Sequence, residues 1–255
     1  MEYFNTVFKP VAFAFFFFFI TASAFAGVGE HLPPAHWGYE GKIGPDHWDT
    51  ICKCKIGEKQ SPIDISTTEK VKLSKIIFHY HPTPLRIINN GHTIQVNYEK
   101  GSSISIDHKK YELLQLHFHT PSEHVIHGKH YDMEAHLVHR DEHGELAVIA
   151  VLIKKGHENT FINTLWRNFP KDIDKEHIVS KVKICASQLL PNNTGAYYTY
   201  AGSLTTPPCS ENVDWIILKT PIEITKAEVD KFVSIFKMDA RPIQPLHGRI
   251  VKERE

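Results

Sequence analysis

Tyr111-Glu112-Leu113-Leu114-Gln115-Leu116-His117-Phe118-His119 is the stretch on which the fold turns. From Leu114 onward polar and apolar residues alternate, the period of a β-strand with one buried face. Gln115, His117 and His119 therefore share one face, and Leu114, Leu116 and Phe118 the other. Glu134-Ala135-His136-Leu137-Val138-His139 alternates in the same way, after a connection long enough to return it antiparallel, so Glu134, His136 and Val138 share a face. Ile94, Val96 and Tyr98 mark a further strand. The nearly all-apolar run from Leu146 to Ile153 reads as a central strand covered on both sides. Helical signals are few. Thr225 and Glu228 form a capping box ahead of Val229, Phe232 and Phe236 at helical spacing, and a shorter helix is expected over Asn159 to Asn168. These patterns predict a mainly β chain (α+β) with short peripheral helices.

The rest of the composition narrows the function classes. The chain has 255 residues, 42% of them hydrophobic, with 29 basic and 29 acidic side chains. A neutral balance offers no excess of positive charge for a phosphate backbone, so nucleic acid is not an expected partner. Val11 to Ile20 is an unbroken apolar run, preceded by Lys9 and followed by Ala24-Phe25-Ala26. This is the form of a secretory signal, 1–26, and the run falls short of the ~20 residues that span a bilayer. The mature chain, 27–255, is expected to be one domain without a membrane span, periplasmic or secreted. Its four cysteines, an even number in an exported chain, favour disulfides. Cys52-Lys53-Cys54 does not have the Cys-X-X-Cys spacing of a structural zinc site.

Two imidazoles two residues apart on one strand, with His136 on a second, could supply three nitrogens to one metal ion. Three neutral imidazoles leave zinc its full charge and one open tetrahedral position, which lowers the pKa of bound water to about 7. Gln115 and Glu134 are placed to accept the second ring N–H of a ligand. With 18 histidines in the chain, a bare His-X-His also arises on solvated strands. Spacing leaves a different enzyme class open as well: His117-X-His119 followed by Glu123 is close to the ligand pattern of cupins, jelly rolls that bind iron or manganese, with Glu123 then a ligand.

The chain resembles the α-class carbonic anhydrases from about His36 to Arg249. The resemblance lies in His36-Trp37-Gly38-Tyr39, Gly44-Pro45 with His47-Trp48, Gln60-Ser61-Pro62-Ile63 and Asn90-Gly91-His92. It continues through Gln115 to His119, Ser122-Glu123-His124, Glu134 to His139, Gly202-Ser203-Leu204-Thr205-Thr206-Pro207-Pro208, and Arg241-Pro242 with Gln244-Pro245-Leu246. It implies a large twisted mixed central sheet, Zn2+ on His117, His119 and His136, and reversible hydration of carbon dioxide to bicarbonate. It also implies inhibition by sulfonamide-type anions.

Residue by residue, the resemblance makes Glu123 the acceptor of the Thr205 hydroxyl, which in turn would accept the proton of the attacking nucleophile and orient it. The Thr205 backbone N–H would bind an anion oxygen. Val138, Val148, Leu204, Val213 and Trp215 match the apolar wall of the substrate pocket, with Thr206 beside it. His92 matches the proton shuttle, Tyr39 and Gln95 the holders of water on the proton path, and Asp239 a backbone carbonyl that supports His119. Cys54 and Cys209 occupy the places that secreted members join by a disulfide, and parity then pairs Cys52 with Cys185. Ser61-Pro62 and Pro207-Pro208 stand where the family has cis prolines. Thr120 in place of a frequent Trp, and the short run from His124 to Glu134, resemble the compact bacterial branch. A domain of this fold that has lost its ligands and acts by surface contact is the rival from another class, but all three histidines, Thr205, Glu123 and His92 are present. A monomer and a homodimer both remain open.

Overall fold

Alternation along a strand becomes a row of side chains across a sheet, and it is such rows that build the site. The computed structural model describes residues 36–52 and 57–255. The expected signal segment and Cys54 lie outside the described residues, as does the side chain of Cys52. The main strands are β1 (Thr83–Asn89), β2 (Ile94–Asn97), β3 (Lys109–His119), β4 (Met133–Arg140), β5 (Leu146–Lys155), β6 (His177–Ile184), β7 (Tyr197–Ser203), β8 (Glu211–Ile224) and β9 (Lys252–Arg254). They belong to a 12-stranded sheet in the spatial order β6-β1-β2-β3-β4-β5-β8-β7-β9, with Glu69–Lys70 beyond β9. β5 runs parallel to β8, and β9 parallel to Glu69–Lys70, while the other pairs along this path are antiparallel. The sheet is therefore mixed and the chain mainly β, as expected.

β5 sits in the middle of the order, and Ala147 through Ile153 are all buried. Ala147, Ile149, Val151 and Ile153 face the larger core, while Val148, Ala150 and Leu152 face a second core with Ile63, Ile65, Trp215 and Ile217. A strand covered on both faces has no place for a polar residue, which is why the sequence shows no alternation there.

Two helices, α1 (Thr160–Arg167) and α2 (Lys226–Phe236), cover the larger core. Asn159 caps α1 by accepting from the Phe161 and Ile162 N–H groups. Thr225 and Glu228 form the expected capping box on α2. Phe161, Leu165, Trp166, Val229 and Phe232 are buried against the sheet, and Trp166 Nε1 donates to the Glu228 carbonyl at 2.9 Å.

β3 departs from strict alternation. Val138 pairs with Gln115, but His139 pairs with Leu113, so Leu114 is the extra residue of a bulge. Leu113, not Leu114, is buried with Leu116 and Phe118 in the larger core. The bulge shifts the phase by one residue, which periodicity alone does not reveal. Ser61-Pro62 and Pro207-Pro208 are cis as expected, and Thr120-Pro121 is a third cis bond.

The Thr225 cap tests how far α2 is held by its own terminus. Thr225→Ala should cost about 1 kcal/mol in denaturant unfolding and lower the melting temperature by roughly 2–4 °C, leaving the distant histidine cluster unchanged.

Candidate metal centre

Register brings the histidines together. His136 on β4 lies directly across from His117 on β3, and Gln95 on β2 lies across from His117 on its other side. His119 is two residues further along β3, on the same face, opposite Glu134. Nitrogens of His117, His119 and His136 all lie within 4.8 Å of one another. His119 and His136 are buried and His117 is part-exposed, so the cluster has one side open.

Each ring has one nitrogen committed elsewhere. His119 Nδ1 donates to the Asp239 carbonyl at 2.7 Å, and His136 Nε2 donates to Glu134 Oε1 at 2.8 Å. A carbonyl and a carboxylate can only accept, so the proton of each neutral imidazole is fixed at that nitrogen. His117 Nδ1 donates likewise to Gln115 Oε1 at 2.8 Å. The remaining nitrogens, Nε2 of His117 and His119 and Nδ1 of His136, carry the lone pairs. His119 Nε2 is buried and has no hydrogen-bond partner. Three converging lone pairs, one of them otherwise unsatisfied, fit a small divalent ion that takes imidazole nitrogen.

The electrostatics agree. Burial, reinforced by His119 and His136, pushes His117 well below the ordinary histidine pKa, and burial lowers His136 against the opposing Glu134. Both are therefore held neutral, as ligation requires. Burial also disfavours charge at His119, but Glu123 and Asp239 outweigh it and raise its pKa. The same field favours a cation placed between the rings. Burial pushes the Asp239 carboxyl up to about 7.

A second cluster, His124, Glu134 and His136, is closed by its own hydrogen bonds. Glu134 Oε1 lies 2.7 Å from His124 Nδ1 as well as 2.8 Å from His136 Nε2, and Glu134 Oε2 accepts from the His124 backbone N–H. His124 Nε2 lies 2.7 Å from Tyr200 Oη, which donates to Ser61 Oγ at 2.8 Å. This chain anchors Glu134 and so His136. His124 enters from a loop that no periodicity describes, so the strand pattern does not point to it.

Glu123 is fully buried, and its Oε1 accepts from the Arg241 backbone N–H at 2.9 Å. Its Oε2 is without a hydrogen-bond partner, 3.6 Å from His119 Nε2 and 3.9 Å from His136 Nδ1. Thr205 is buried beyond β7, but no hydrogen bond joins it to Glu123 among the described residues. Val138, Val148, Val213 and Trp215 are buried in one cluster with Leu204 packed against it, and Thr206 is half-buried.

His92 follows Gly91, whose φ of +81° only glycine adopts readily, so a tight turn precedes the ring. Its ring stacks on Trp37 at 3.6 Å between centroids, a partner that spacing along the chain does not point to. Tyr39 packs against Trp37 and Trp48, and Gln95 donates to Asn97 at 2.7 Å. Among the described residues Cys209, which is buried, and Cys185, which is half-exposed, are not joined to one another, and burial pushes the Cys209 thiol up to about 11.

Residues 43–255 match the family model for eukaryotic-type carbonic anhydrases. A carbonic anhydrase of Nostoc sp. is 46% identical over 227 residues, covering 86% of each chain. Among solved structures, a hyperthermostable carbonic anhydrase from an active hydrothermal vent chimney superposes with a TM-score of 0.83 at 46% identity, covering 86% of this chain and 100% of that one. An α-carbonic anhydrase from Thermovibrio ammonificans, in complex with the inhibitor sulfanilamide, superposes with a TM-score of 0.82 at 42% identity, covering 86% and 99%.

Gln115 orients His117 without being fully buried, so it can be removed at small cost to folding. Gln115→Ala should weaken metal binding by roughly 10- to 100-fold, read by competition with a chromophoric chelator.

Proposed function

The chain belongs to the α-class (eukaryotic-type) carbonic anhydrases, and on that premise we propose how its own residues serve the reversible hydration of carbon dioxide to bicarbonate and a proton. The observation that carries the reading is the orientation of the three imidazoles, each fixed by an acceptor so that its lone pair turns to a common centre. The ion that suits three nitrogen ligands and one open position is zinc. Held there, it supplies a Lewis acid that makes water a nucleophile at neutral pH.

The protein's part is orientation and proton handling. With Oε1 held by the Arg241 N–H, Glu123 has only Oε2 free for another donor. The Thr205 hydroxyl donates there during turnover, and its oxygen is thereby left to accept from the nucleophile, which fixes the direction of attack. The Thr205 N–H is an anion donor for bicarbonate. Carbon dioxide is apolar and small, and the wall of Val138, Val148, Leu204, Val213 and Trp215 holds it without asking for hydrogen bonds, with Thr206 at the edge.

The proton leaves through His92. Its half-exposed ring can exchange with both the cavity and buffer, and burial keeps its pKa below the ordinary value, so that it releases what it takes up. Tyr39, kept neutral by burial, and Gln95 hold the intervening water. A sulfonamide anion would compete for the open position beside Thr205, as the sulfanilamide complex of the Thermovibrio relative suggests.

The apolar run 11–20 supports export of the chain to a periplasm or beyond, where Cys54 and Cys209 would join. In support, Gln60, close behind Cys54 in sequence, donates from Nε2 to the Cys209 carbonyl at 3.2 Å. Such a bridge would fasten the Gln60 segment to the Thr205 loop, worth about 5 kcal/mol in the chain-entropy model. Peptide mapping with and without reduction reads the pairing: a Cys54–Cys209 peptide is expected, and a Cys54–Cys185 peptide would overturn it.

Stopped-flow hydration of carbon dioxide tests the whole reading. Activity should vanish with a zinc chelator and return with zinc; activity that persists in metal-free protein would sink it. His92→Ala should slow turnover in weak buffer and recover with added imidazole, whereas an unchanged rate removes the shuttle.

A further inference from the structure

The turn that carries His92 is sewn to a second loop. The Asp174 backbone N–H donates to the Asn89 carbonyl at 2.8 Å, and Ile173 forms a bridge with Asn89. A Cβ added at Gly91 would stand 3.4 Å from the Ile173 side chain, so the two loops lie close together beside His92. Within the turn, Asn89 Oδ1 accepts from the Gly91 N–H, and Asn90 Oδ1 from those of His92 and Thr93. The His92 backbone is thus fixed relative to Asp174.

Asp174 has φ +57°, the left-handed region that only Gly, Asn and Asp enter at low cost. Of these three, Asp alone brings a charge. We propose that Asp174 is a positioning residue of the proton path, its carboxylate placed beside the His92 turn to hold the imidazole's charge once a proton arrives. The proposal rests on His92 being the shuttle.

The surroundings of His92 are few enough to name. Trp37 stacks on one face of the ring and is neutral. Burial lowers the imidazole pKa, Asp174 raises it, and His36, the residue before Trp37, lowers it. Asn89 and Asn90 on its own turn carry no charge. Asp172, two residues before Asp174, is occupied elsewhere, 3.8 Å from Lys175 Nζ and 3.6 Å from His177 Nε2. Asp174 therefore opposes both burial and His36. Without it, a ring half withdrawn from water would accept the proton less readily.

The test uses the zinc-loaded full chain. Asp174→Asn keeps a residue that tolerates the left-handed backbone and removes only the charge. The His92 imidazole titration, followed by NMR, should move acidward by roughly a few tenths of a pH unit, the size of one solvent-screened pair. The displacement should shrink as salt is raised from about 0.01 M to about 1 M, where the Debye length falls from ~30 to ~3 Å. The pH profile of kcat in weak buffer should move with it, while that of kcat/KM stays in place. Asp172→Asn, the control for simple loss of a nearby charge, should leave the His92 titration unmoved. An unmoved His92 titration in Asp174→Asn, or an equal movement in Asp172→Asn, overturns the proposal. A moved titration together with full weak-buffer turnover in His92→Ala would instead overturn the shuttle reading.

Discussion

Everything at the centre depends on one constraint: each of three imidazoles has its proton pinned by an acceptor the fold supplies. Gln115, the Asp239 carbonyl and Glu134 each take one ring N–H. The lone pairs are then turned inward before any ion arrives, so no ring has to reorient on binding. Pleat and register do the coarse placement, by setting His117 and His136 directly across from one another. The acceptors do the fine placement. Glu134 is itself held by His124, and His124 is tied through Tyr200 to Ser61. Gly202 lets Ser61 and Trp215 close over β7, where a Cβ would stand only 2.7 Å from Trp215 and closer still to Ser61.

That arrangement concentrates acid. Glu123, Glu134 and Asp239 are all buried around the three rings. Buried carboxylates are costly unless paired, and here the pairing is uneven. Glu134 is satisfied by two histidines, and its pKa lies well below the ordinary value because they outweigh its burial. Glu123 keeps one oxygen unpartnered, and Asp239 is pushed up to about 7. A doubly charged ion between neutral imidazoles offsets this field. The same charge pattern therefore selects for a dication.

Much of this was legible in the sequence, for identifiable reasons. The two histidine strands alternate cleanly near the site, so their faces could be read, and the capping box of α2 is local. The all-apolar run of β5 announced its two covered faces. Other features are not local and left no pattern. The bulge at Leu114 changes phase without changing composition. His124 and Arg241 act from loops and reach the site only through tertiary contacts. Trp37 was visible as part of a motif, but its stacking on His92 depends on two segments far apart in sequence. Among the described residues no hydrogen bond joins Thr205 to Glu123, whose Oε2 lies toward His119 and His136, a detail of side-chain placement that no sequence pattern carries.

X-ray absorption at the zinc edge of the purified protein addresses the central claim most directly. One zinc per chain is expected, four-coordinate, with three imidazole nitrogens at about 2.0–2.1 Å and a single light-atom ligand in the fourth position. A protein carboxylate in the first shell, as the cupin pattern with Glu123 would require, or fewer than three imidazoles, would contradict it.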